Sequence, residues 1–127
     1  MNIYLDFDGT VVLHKFPKIG ELIEECVDVL SQFTKKGYKI ILNTLRCEFE
    51  DGSLEKAIEF LKENNIHIDS VAINKLNPGK WDLELFKANQ FVIIDDFCEE
   101  IPLSENSEGH RYVNWLEVQK QLNDIGI

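Results

Sequence analysis

The sequence predicts an α/β fold, a three-layer α/β/α sandwich around a central, mainly parallel sheet. Short apolar, β-forming runs recur at residues 2–7, 38–43, 70–73 and 91–94, with a weaker one at 110–113. Segments with apolar residues at helical spacing lie between them. The runs are continuously apolar rather than alternating, the pattern of strands covered on both faces by crossover helices.

Taken in order, the run at 2–7 is the first strand. Ile19, Leu22, Ile23, Cys26, Val27, Leu30 and Phe33 then form one helical stripe, closed by Gly37 at a C-terminal cap. The second strand follows at 38–43. Ser53 is placed to cap a second helix carrying Leu54, Ala57, Ile58 and Leu61, which leads to the third strand. A short third helix is expected from Gly79 to Lys87, before the strand at 91–94. The polar stretch 104–109 reads as a surface loop, and a last helix carries Trp115, Val118 and Leu122. In such a sheet the ligand crevice lies beyond the C-terminal ends of the strands, so residues just after each strand are the functional candidates.

A chain of 127 residues, 44% apolar and 28% charged, suits one domain over residues 1–127, with no room for a second substrate-binding domain. A formal charge of -10 disfavours a broad nucleic-acid or membrane-binding face. Cys26, Cys47 and Cys98 are odd in number and widely spaced, which argues for free thiols in a reducing cytosol rather than disulfides or a zinc site. No signal-like segment or apolar run near the ~20 residues of a membrane span is present. The expectation is a soluble cytoplasmic protein.

Asp6-Phe7-Asp8-Gly9-Thr10 sends two carboxylates out of the first strand into a glycine turn, where Gly9 lets the backbone pass close to a ligand. Like charges this near one another are tolerated when a divalent cation neutralises them, and hard oxygen donors suit Mg²⁺. The fourth strand delivers Asp95 and Asp96 at its own end, with Asp95 the preferred ligand and Asp96 also readable as a helix cap. The second strand ends in Asn43-Thr44-Leu45-Arg46, which places a hydroxyl and a guanidinium, both phosphate donors, at the same rim. Thr44 by itself would read as a cap and Arg46 as a surface charge. A phosphate beside several carboxylates also needs a fixed cation, for which Lys75, Lys80 and Lys87 are available. Lys80 is preferred because it follows Pro78-Gly79 at the expected start of a helix, and Lys75 is second. Gly9 and Thr10 in the turn, and His14, Lys15 and Lys18 in the loop 11–18, are placed to touch a substrate.

Together these residues resemble the haloacid dehalogenase (HAD) superfamily, whose four strand-end motifs run along most of the chain. Asp6 to Thr10 resembles its first motif, Thr44 its second, Lys80 or Lys75 its third and Asp95-Asp96 its fourth. The first motif is the specific one, and the order of all four gives the combination its weight. The resemblance implies a Rossmann-like hydrolase domain without a cap. The intervals from Thr10 to Thr44 and from Thr44 to Lys80 are used up by ordinary strand and helix units. It implies a Mg²⁺-dependent phosphohydrolase that forms an aspartyl-phosphate on Asp6, with Asp8 as general acid and base. Mg²⁺ would be held by Asp6, Asp95 and the backbone carbonyl of Asp8, with Thr44 and Lys80 orienting the phosphoryl group. The family's dehalogenase branch lacks the second aspartate, present here as Asp8. Thr44-Leu45-Arg46 is similar, more loosely, to small bacterial and phage members and to the phosphatase half of polynucleotide kinase-phosphatases. An aspartate of ordinary pKa, near ~3.9, is ionised at neutral pH and needs no activating base.

The expected substrate is a small phosphorylated metabolite, a nucleotide or a phosphorylated nucleic-acid end. Two other classes share parts of the pattern. A receiver domain also combines acidic residues, a Thr and a Lys, but it places its acidic pair after the first strand and its phosphoacceptor after the third. A non-catalytic phosphate- or metal-binding domain would keep the fold without needing the whole set of Asp6, Asp8, Thr44, lysine and Asp95.

Overall fold

The computed structural model describes residues 1–127. Its central sheet contains β1 (Asn2–Leu5), β2 (Lys39–Leu42), β3 (Ser70–Val71) and β4 (Phe91–Ile94), all parallel, in the order β3-β2-β1-β4. Four helices flank it: α1 (Glu25–Lys35), α2 (Ser53–Glu63), α3 (Leu83–Asn89) and α4 (Trp115–Asp124). A single 3₁₀ turn, residues Leu45–Glu48, follows β2. The arrangement is the three-layer α/β sandwich expected from the continuous apolar runs. A core of 26 buried residues runs through it, including Ile3 and Leu5 of β1, Ile40 and Leu42 of β2, and Val92 and Ile94 of β4.

Strand order decides where the crevice opens. The chain steps outward from β1 to β2 to β3, then returns to the other side of β1 for β4. Connections therefore diverge between β1 and β4, the switch point at which open α/β sheets leave a gap beyond the strand ends. Register completes the alignment, because Leu5 pairs with both Leu42 and Ile94. Asp6, Asn43 and Asp95 consequently leave the sheet at one level, and the Asp6 N–H still donates to the Ile94 carbonyl at 2.9 Å.

Helix ends follow local chemistry. Gly37, at φ +80°, lets α1 stop with Gly37 N–H on the Thr34 carbonyl and Tyr38 N–H on the Phe33 carbonyl, both 3.0 Å. Phe33 packs on Tyr38 across this cap with ring centroids 6.0 Å apart. Asp82 accepts from the Leu85 N–H at 3.1 Å and starts α3 four residues later than the Pro-Gly signal had placed it. Asn114 caps α4 in the same way through Glu117 N–H at 3.1 Å.

Several expectations need correction. Residues Ile19 to Ile23 are not helical: Ile23 N–H donates to the Val11 carbonyl at 2.8 Å, Leu13 N–H to the Glu21 carbonyl at 2.9 Å, and Leu22 bridges Val12. Pairing with the loop after β1 buries Ile23 as effectively as a helix would, so tertiary contact overrides the 3.6-residue period. Ser53 does not cap α2 with its hydroxyl; Asp51 Oδ1 accepts the Ser53 N–H at 2.9 Å instead. The run at 110–113 does not join the main sheet. β6 (Arg111–Val113) pairs antiparallel with β5 (Leu103–Glu105), which occupies the start of the stretch read as a loop. Buried Cys26 and Cys98 are free thiols, each pushed up to about 12, first by burial and then by the nearby carboxylates of Glu25 and Asp95 respectively. Neither is an available nucleophile at neutral pH. No helix is long and apolar enough to cross a membrane.

Candidate active site

Carboxylate oxygens of Asp6, Asp95 and Asp96 all lie within 4.8 Å of one another at the β1/β4 gap. Asp6 and Asp95 are buried, and Lys75 Nζ stands 3.4 Å from Asp6 Oδ1 and 3.0 Å from Asp95 Oδ2. Burial raises the Asp6 pKa well above the usual carboxylate range, the Asp95 charge raises it further, and Lys75 offsets only part of this. Asp96 is raised as well, first by burial. For Lys75, burial pulls downward, but the attraction of Asp6 and Asp95 outweighs it and the net shift is upward. Asp6 in this cluster is therefore not the freely ionised aspartate expected from its reference value; one ammonium does not balance three carboxyl groups.

The donor set suits a hard divalent cation. Asp96 Oδ1 is buried and receives no hydrogen bond, and Asp95 Oδ2 is met by the Lys75 ammonium at 3.0 Å. Three carboxylate oxygens converging on one point are the hard, anionic donors that Mg²⁺ takes, and Asp6, Asp95 and Asp96 would hold it. Asp96 thus joins Asp95 in the cluster instead of only ending the strand. The Asp8 carboxylate does not join it.

Asp8 is held by Arg46 through two parallel bonds, Nε to Oδ2 and Nη2 to Oδ1, both 2.8 Å. Expected to bind substrate, Arg46 is instead 1% exposed in its side chain. Its other three N–H groups go to the carbonyls of Pro17 at 3.4 Å, Lys18 at 3.1 Å and Ser53 at 3.1 Å. All five guanidinium donors are committed, and the plane lies over Phe7 and Phe16 at 5.1 and 5.0 Å from the ring centroids. Arg46 is therefore a positioning residue that fixes Asp8 and the 17–18 loop.

The preferred lysine also requires correction. Lys80 pairs with Glu100 at 3.4 Å on the surface, 59% exposed, whereas the Lys75 side chain is 10% exposed and lies on the aspartates. Buried Asn43 explains the choice: its Oδ1 accepts the Leu76 N–H at 2.8 Å and its Nδ2 donates to the Leu76 carbonyl at 3.3 Å. These bonds fasten the turn after β3 to the end of β2 and carry Lys75 over the gap. Asn43 was missed as a site residue; the signal was a polar side chain directly after a buried strand. Lys87 lies in α3, away from the cluster.

Gly9 and Thr10, expected to touch substrate, are buried and organise the carboxylates instead. Gly9 has φ +81°, and a Cβ there would collide with the Asp96 carboxylate. The Thr10 hydroxyl donates to Asp6 Oδ2 at 3.3 Å and accepts the Asp96 N–H at 3.2 Å, joining the two strand ends. Trp115 Nε1 donates to the Thr10 carbonyl at 2.8 Å and fixes that turn from α4. Thr44 and His14 do line the cleft, a space of about 140 Å³ that also borders Asp6, Asp8 and Lys75. The Thr44 oxygen accepts the Arg46 N–H at 3.2 Å, which leaves its proton free to donate.

No family model matches the chain, and no curated protein matches it. Among solved structures it is similar to one described as the conserved protein coded by locus from Bacteroides thetaiotaomicron. That likeness has 21% sequence identity and a TM-score of 0.66, covering 100% of this chain and 93% of the other. At this identity the similarity establishes a common fold and nothing of activity.

Proposed function

We propose that this chain is a Mg²⁺-dependent phosphomonoesterase of the HAD type, with Asp6 as the nucleophile. The observation that carries the reading is the cluster of Asp6, Asp95 and Asp96 within 4.8 Å, with the buried Asp96 Oδ1 lacking a hydrogen bond and the Lys75 ammonium alongside. Asp6, Asp95 and Asp96 would hold the ion, together with the backbone carbonyl of Asp8. When bound, it would supply the positive charge that lets a carboxylate approach a phosphate dianion.

Asp6, steadied by Thr10 and Lys75, attacks phosphorus in line with the ester oxygen. The P–O ester bond breaks as the bond to Asp6 forms. Asp8, kept at the cleft by Arg46, gives the departing oxygen its proton; each carboxylate oxygen retains a lone pair beyond those used by the guanidinium. Water then attacks the aspartyl-phosphate and loses a proton to Asp8, releasing phosphate and restoring Asp6. Lys75 and the Thr44 hydroxyl offset charge on the phosphoryl oxygens through both steps. A receiver-like role lacks support, since β3 is followed by Ala72 and Ile73 and offers no phosphoacceptor.

The test is hydrolysis of p-nitrophenyl phosphate with and without Mg²⁺. Turnover is expected only with the metal. The Asp6→Asn variant should lose it by at least about 10³-fold while keeping its circular dichroism. Near-native turnover by that variant would remove Asp6 from the mechanism.

A further inference from the structure

Apart from the exposed His14, the cleft that reaches Asp6 is polar only at its base. Phe16, Phe49 and Phe97 line it together with Leu45, in the same 140 Å³ space as Asp6, Asp8 and Lys75. Phe16 and Phe49 stack on each other at 5.3 Å between centroids, and the Arg46 guanidinium backs Phe16. Phe97 is 69% exposed and Phe49 is 47% exposed. Exposed rings at the mouth of a charged cleft contribute nothing to the core. Arg46, the one guanidinium there, has no N–H left to meet a ligand. Lys75 is already shared between two aspartates. Lys75 is thus the cleft's fixed cation for one phosphoryl group, and apart from His14 the remaining wall is Leu45 and the three phenylalanines.

We infer that the cleft is a subsite for a planar, apolar leaving group, so that the preferred substrate is a monophosphate ester whose alcohol carries an aromatic ring. This inference rests on the phosphomonoesterase reading for the chemistry at Asp6, and adds the class of alcohol. A ring seated against Phe49 and Phe97 leaves water and makes offset or edge contacts with them. A glycerol or sugar alcohol finds few polar partners on those walls and loses hydration on entering. A second phosphate would approach the acidic cluster with Lys75 already engaged by the first.

The experiment separates binding from turnover. Calorimetry in Mg²⁺ compares benzylphosphonate with methylphosphonate, neither of which has a P–O ester bond to break. Benzylphosphonate is expected to bind on the order of tenfold more tightly. In Phe49→Ala and Phe97→Ala that ratio should fall toward one, whereas Ile73→Ala, a change at an 88% exposed residue outside the cleft, should keep it. Steady-state hydrolysis of benzyl phosphate and glycerol 3-phosphate, whose leaving alkoxides are similar, should show the same preference in kcat/KM. Equal affinity for the two phosphonates, no binding of either, or a ratio that survives both phenylalanine changes would overturn the subsite. If the ratio and its loss are seen but no ester is hydrolysed, the subsite is supported and the phosphatase reading fails; hydrolysis without any aromatic preference fails only the subsite.

Discussion

At the scale of the residue, Lys75 and Lys80 carry the same charge on the same stem, and the fold gives them opposite surroundings. The first is enclosed by Asp6 and Asp95, and the second reaches Glu100 through solvent. An ammonium held against a developing phosphoryl charge in a confined site contributes on the order of 10²–10³ in rate, and a solvated surface pair contributes little. Lys75→Ala should therefore lower kcat on p-nitrophenyl phosphate by about 10²-fold or more, while Lys80→Ala stays within about twofold. Comparable losses in both would mean that the turn after β3 is misassigned as the source of the cation. Arg46 carries a related lesson: a guanidinium after a strand suits phosphate, but burial with five satisfied donors makes it part of the frame.

At the scale of the element, the turn after β1 is the tightest constraint. Gly9 at φ +81° passes beside the Asp96 carboxylate, and Thr10 spans Asp6 and Asp96. Gly37 shares the left-handed conformation but has nothing within 4 Å of the position a Cβ would take. Gly37→Ala should therefore cost about 1–2 kcal/mol, the conformational term alone. Gly9→Ala should cost more, since it adds a collision with Asp96, and it should also weaken the Mg²⁺ response. Urea denaturation of the two variants with and without Mg²⁺ checks both parts. Equal losses would show that Asp96 moves aside freely.

At the scale of the whole molecule, the ends of β1 and β4 gather carboxyl groups that repel one another, against a single ammonium from the turn after β3. Asp6 and Asp96 both have folded pKa values above their ordinary ones. The metal-free folded chain then binds more protons than the unfolded chain between about pH 4, the unfolded value, and the raised folded values. Stability without metal should fall as pH rises through that window and stay lower above it. A divalent cation relieves the same repulsion and competes with those protons. The rise in Tm on adding saturating Mg²⁺ should consequently be larger at about pH 7.5 than at about pH 5. Scanning fluorimetry at both pH values measures it, and an equal rise would place the cation elsewhere.

Much of this was determined by the order of residues alone. Continuous apolar runs marked four strands and the burial of three, while β3 is cut to Ser70–Val71 with Ile73 exposed at the sheet edge; a carboxylate directly after a run marked Asp6 and Asp95, because residues at a parallel strand's end share one edge whatever the loops do. Only the tertiary structure decided between Lys75 and Lys80, turned Arg46, Gly9 and Thr10 from ligand contacts into supports, and took Ile19 to Ile23 out of α1. Those outcomes depend on partners distant in sequence, such as the bonds from Asn43 to Leu76 and from Trp115 to Thr10. Hydropathy and spacing describe what a segment favours by itself, whereas the neighbour that satisfies a buried donor or charge exists only once the chain has closed on itself.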